Sequence, residues 1–224
     1  MNRVNATLAV VVCLGFACAA QGQGQPAPHA VNTHTEMSHD QHHAASAPVT
    51  FAELETTAAQ LEKARRATEK YRNVQAAEAD GYHAIGPDAP GMGIHYVHVS
   101  HDPTSKAESP ASIFDVEHPE ILLYEKDPAS PGGFALVGVS YLLTAEPGND
   151  GQPKNPPFPK SLASWHRHSD ICVLPDRSVK TQLNEEQCKA QGGSFTALTQ
   201  WMVHAWIWKD SPAGVFSPTN PTVQ

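Results

Sequence analysis

The chain predicts an α+β fold, with one long N-terminal helix packed on a curved, mainly antiparallel sheet or open barrel. Three observations predict it. A single stretch, Phe51 to about Asp80, carries helical periodicity. The segments after it are rich in β-branched and aromatic residues and are separated by Gly, Pro and Asn. Strands and helices do not alternate, and neither a GxGxxG nor a Walker pattern occurs, which argues against a parallel nucleotide-binding fold.

The elements follow in order. Residues 1–20 read as a signal peptide. Arg3 supplies a positive charge, Leu8 to Ala20 is an apolar run too short to span a bilayer, and Ala17, Ala19 and Ala20 offer a small-residue cleavage site. Cys18 as a lipid-attachment site is the lesser alternative, because Gly15-Phe16-Ala17 matches a lipobox poorly. Residues 21–50 contain Gln, Pro, Ala, Ser and His with few large apolar side chains, a composition expected to stay disordered. This tract holds His29, His34, His39, His42 and His43, with Met37 and Asp40 among them, and reads as a loose collector of metal ions.

Residues 51–224 form the expected single domain. Thr50 and Glu53 predict a capping box at the helix start, and Gly81 a stop. Leu54, Ala58, Leu61, Ala64, Tyr71, Val74 and Ala77 form its apolar stripe. Strands are expected at Ile94–Val99, Ile121–Tyr124, Phe134–Thr144, Ser164–Leu174 and Gln200–Lys209, with a long surface loop over 145–160. Asn184 to Gly192 reads as a short capped helix, and the tail from Ser211 as turns.

Composition narrows the function. The formal charge of −8, without basic clusters, argues against nucleic acid and anionic membrane surfaces as partners. No later stretch is apolar enough for a transmembrane segment. Two of the four cysteines lie in the leader. Cys172 and Cys188 remain, and in an oxidising compartment they pair most simply as a disulfide worth roughly 3 kcal/mol. Their spacing matches no zinc-ribbon pattern.

Histidines carry the chemistry. In a strand His166 and His168 point to one face, their Cα atoms roughly 6.5 Å apart. His204 sits between Met202 and Trp206 on one face of the last strand. A lone core histidine would most simply hydrogen-bond locally. Beside an H-x-H strand it becomes the third ligand of a metal site with an open position. His95 is the fourth candidate ligand. Glu120 is a candidate ligand, an acceptor for a ligating His, or a general base. His98 and His101 read as surface residues, and His118-Pro119-Glu120 is expected to open the next strand. Met92 and Met202 would favour copper if they joined the site.

Several segments also carry a resemblance. They are Ala79-Asp80-Gly81-Tyr82, Gly91-Met92-Gly93-Ile94-His95-Tyr96, Pro119-Glu120-Ile121-Leu122-Leu123-Tyr124-Glu125, Leu136 to Tyr141, Trp165-His166-Arg167-His168, and Trp201-Met202-Val203-His204 through Pro221. Together they resemble a widespread family of uncharacterised exported bacterial proteins. The resemblance covers nearly all of the chain after residue 60 and implies a single domain, with no activity attached.

The expectation is therefore an exported, periplasmic or secreted, metal-binding protein that handles copper or zinc. The alternative is a metal-dependent enzyme, hydrolytic or oxidative, using the open position with Glu120 as acid or base. Trp206, Tyr96 and Met202 would then line a pocket for a small-molecule ligand. A structural or adhesive domain with incidental histidines is the third reading.

Overall fold

The computed structural model describes residues 48–102, 114–176, 178–181, 183–196 and 200–224. These all fall within one compact unit, His42–Gln224. The expected signal peptide, with Cys13 and Cys18, and nearly all of the expected disordered His-rich segment lie outside the described residues. Among the described residues no helix is long and apolar enough to cross a membrane.

The fold is α+β, with antiparallel sheets. Helix α1 spans Phe51–Thr68 and begins with the expected capping box between Thr50 and Glu53. The single helix expected through Asp80 is not there. A tight 3-10 turn, Glu69–Arg72, follows α1, and a separate short helix α2 runs from Val74 to Ala79.

Two side chains make the break. The Thr68 hydroxyl donates to the Ala64 carbonyl at 2.8 Å and accepts from Trp208 Nε1 at 3.0 Å, which pins the last turn of α1. Asn73 then adopts an extended backbone and caps α2 by accepting from Gln75 N. The apolar period survives the break, so Ala64, Tyr71, Val74 and Ala77 are all buried in one cluster. At the other end Phe51 and Leu54 stay exposed.

Five strands form the main sheet: β1 (Tyr82–Ala89), β2 (Gly93–His98), β3 (Ile121–Lys126), β4 (Phe134–Leu143) and, late in the chain, Trp201–Ala205. Between β4 and that last strand come β5 (Ile171–Val173), β6 (Val179–Lys180), helix α3 (Glu185–Ala190) and β7 (Ser194–Thr196), so Trp201–Ala205 is β8. The main sheet runs in the order β1-β2-β3-β4-β8 and is not closed into a barrel. A small second sheet runs β6-β5-β7. The Cys172–Cys188 disulfide joins β5 to α3.

Two expected strands are shorter than the sequence suggested. Ser164–Asp170 is not a strand, and only Ile171–Val173 of that stretch is. Residues 206–209 are not strand: after Ala205 the Trp206 amide turns to the Val215 carbonyl, and the Trp208 and Lys209 amides both donate to the Val137 carbonyl of β4. His118-Pro119-Glu120 precedes β3 and does not open it.

The main sheet has two differently used faces. One buries Tyr96, Leu122, Tyr124, Val139 and Tyr141 under the helices and under Phe158 and Trp165. The other carries Val97, Ile121, Leu123, Val137, Leu142, Met202 and Trp206, with Val223 of the tail packed onto it. Burying both faces of a central strand explains the continuous apolar runs in β3 and β4.

Candidate metal centre

The second face holds the histidines. Register places Ser140 of β4 opposite His204 of β8, and His95 of β2 opposite Leu123 of β3. Residues paired across strands share a face. His95 is in step with Val97, and His204 with Met202 and Trp206, so both imidazoles stand on this side.

Strands β2 and β8 are separated by β3 and β4, which on a flat sheet would put them about 14 Å apart. The His95 and His204 ring centroids are nevertheless 5.6 Å apart. The sheet must therefore curl, with this face as its hollow. Gly138 lines the hollow between them. A side chain there would meet the Ala205 carbonyl at 2.9 Å and the Trp206 ring at 3.1 Å.

The H-x-H segment arrives by a different route from the one its composition suggested. His166 makes an isolated antiparallel bridge to Met202, exchanging N–H···O bonds of 3.0 and 2.7 Å. This two-bond clasp fixes the segment beside β8. It sets the His166 ring 5.4 Å from His204 and 5.1 Å from His168. Imidazoles bound through nitrogen at about 2.0–2.1 Å to one tetrahedral ion would have centroids roughly 5 Å apart.

As the rings stand, no group of three or more His, Cys, Asp or Glu side chains among the described residues is placed to hold a metal ion. The four histidines converge as rings in contact, not as nitrogens around a point.

Two of the four rings have one nitrogen already committed to backbone. His204 Nδ1 donates to the Pro218 carbonyl at 2.7 Å, and His166 Nδ1 donates to the Ser164 carbonyl at 3.1 Å. A neutral imidazole that donates from Nδ1 presents a bare lone pair at Nε2. On His204 that Nε2 is buried and has no hydrogen-bond partner. Trp206 reinforces the arrangement, since its Nε1 donates to the Ser217 carbonyl at 2.8 Å, beside Pro218.

The surroundings keep the rings neutral. Burial pushes His95 down to about 4, helped by the charges that His168 and His166 would carry. Burial also holds His204 well below the usual histidine range, followed by His95 and His166, against the pull of the Pro218 carbonyl. His166 and His168 are lowered by burial too, and for His168 the Asp170 carboxylate partly opposes the shift.

No protein-family model, curated protein or solved structure matches this chain.

The other candidates are placed elsewhere. Glu120 is buried, but its carboxylate accepts from the Leu142 amide at 3.0 Å. Its charge is felt by Tyr82 and Tyr141, and alternation from Leu122 puts it on the helix side of the sheet. His98 packs edge-on against Tyr82 on that side, with Nδ1 hydrogen-bonded to Ser100 at 2.6 Å. His118 is exposed and pairs with Asp115 at 2.8 Å.

Sequence reasoning passed over two neighbours of the imidazoles. The Pro218 carbonyl has no sequence signature. Ser140 lies in an unbroken apolar run. Alternation along the same segment from His168 predicts Asp170 beside it, and its carboxylate acts on His168.

Proposed function

We propose that His95, His166, His168 and His204 bind one transition-metal ion, copper or zinc, and that the protein handles metal outside the cytoplasm. The observation that carries this reading is the buried, partnerless Nε2 of His204, in a ring touching His95 and His166. Leaving a buried polar group unsatisfied costs about 1–3 kcal/mol. An ion at Nε2 removes that cost. A carbonyl on the far nitrogen is the usual companion of a ligating histidine, because it fixes the tautomer and the ring plane. Binding one ion requires the four side chains to rotate from ring contact so that their free nitrogens meet at a common point.

An all-imidazole donor set suits copper or zinc rather than magnesium or calcium. The Met202 thioether on the same face adds a soft neighbour. The Cys172–Cys188 disulfide and the leader-like N-terminus support an exported, periplasmic or secreted setting. The His-rich tract would then raise the local concentration of the ion. The family resemblance agrees with this setting and adds no activity. For the enzyme reading Glu120 is poorly placed. The cavities of about 650 and 520 Å³ beside α1 are lined by other residues.

The test is elemental analysis of the mature protein after mild neutral purification and metal loading, repeated on His204→Gln. The expected result is a loss of about one equivalent per chain in the variant. An equal metal count in both proteins would leave the N-terminal tract as the binder and remove the folded site.

A further inference from the structure

The hollow holds a second orphaned polar atom. Ser140 is fully buried in the middle of β4, and its Oγ has no hydrogen-bond partner. Register pairs Ser140 directly with His204, so its hydroxyl stands on the face that carries the imidazoles. The chain spends a polar side chain here, between Val139 and Tyr141, in a strand whose neighbours are otherwise apolar or glycine. A hydroxyl in such a position costs stability unless something meets it. Two adjacent orphans, one a lone pair and one an O–H donor, describe a place for a bound group that offers both an acid and an acceptor.

We propose that the Ser140 hydroxyl donates a hydrogen bond to a small anion or water bound to the ion as a fifth ligand, beside the four imidazoles, as tetragonal copper(II) accepts. This rests on the metal reading above. Four neutral imidazoles leave the full charge of a divalent ion uncompensated. Such an ion draws a small anion or a hydroxide-like water to itself. The Ser140 O–H then stabilises the negative oxygen or nitrogen next to the metal, as donors aimed at developing charge do in other sites. The class of ligand is a compact monoanion or a metal-bound water, not an extended organic molecule.

The experiment uses the full mature protein loaded with Cu(II), titrated with azide and followed by the azide-to-copper charge-transfer band, for wild type, Ser140→Ala and His204→Gln. Melting of the metal-free proteins is measured alongside. Ser140→Ala is expected to keep one folded-site ion per chain, to bind azide about tenfold more weakly or worse, and to melt no lower than wild type without metal. Unchanged azide affinity in Ser140→Ala overturns the proposal. A lowered metal-free melting temperature in that variant also overturns it, because the hydroxyl would then have a structural partner. If His204→Gln holds as much copper as wild type, the metal reading itself has failed. That outcome is distinct from a failure at Ser140.

Discussion

At the scale of single residues, the site is built by what holds each imidazole from behind. His204 is steered by one carbonyl, Pro218, and that carbonyl is steered by Trp206 through the neighbouring Ser217. Trp206→Phe keeps the aromatic volume but deletes the Nε1 donor. The expected outcome is a folded protein that still takes one ion per chain, with affinity reduced roughly tenfold, the range typical when the support of a ligating histidine is lost. Competition with a metal-binding dye measures this. Affinity equal to wild type would show that the Ser217–Pro218 segment does not set the His204 ring.

At the scale of elements, close approach and covalent linkage bring the histidine-bearing segments together. Gly93 opens β2 with φ at +69°, and a Cβ there would collide with the Tyr124 carbonyl of β3. Backbone cannot retreat as a flexible side chain can. Gly93→Ala is therefore expected to cost more than about 3 kcal/mol, read as a shift in the urea midpoint. The disulfide works at the other end. It ties β5, which starts three residues after His168, to α3. Gly193 must lack a side chain for this, since a Cβ would sit 2.7 Å from Cys172 Sγ. Reduction should lower stability by roughly 3 kcal/mol, measured by denaturation with and without reductant. No change in midpoint would contradict the pairing.

At the scale of the whole molecule, the four depressed imidazoles couple folding to pH. An unfolded histidine titrates at 6.5, and His95 in the fold is pushed down to about 4. Between these values the unfolded chain takes up protons that the metal-free native chain refuses. Stability of the metal-free protein is therefore intact above about pH 6.5 and falls as pH drops toward 4. Urea midpoints at about pH 7.5 and about pH 4.5 check the sign, and the fall should be smaller in His95→Gln. A midpoint that rises on acidification would show that the imidazoles are not held neutral. Bound metal at neutral pH should raise the midpoint in proportion to its affinity.

Much was legible from the sequence alone. The α+β class, the Thr50 capping box, the disulfide and strands β2, β3 and β4 all follow from local pattern, because caps, turns and β-branched runs act over a few residues. Strand β1 was not legible. Gly86 and Pro87 interrupt it, and an edge position with a bulge tolerates both. The break at Asn73 was hidden because the apolar period continues through it, and one of the bonds that pin the Thr68 end comes from Trp208, more than a hundred residues away.

The histidines divide in the same way. Their identity, the H-x-H spacing and the position of His204 between Met202 and Trp206 are written in the chain. That His166 clasps Met202, that a curled sheet brings the His95 ring to the His204 ring, and that Glu120 stands on the opposite face were decided only by tertiary structure. Side-chain alternation is fixed within a strand. The curvature of a sheet and the path of an irregular segment depend on what packs against them.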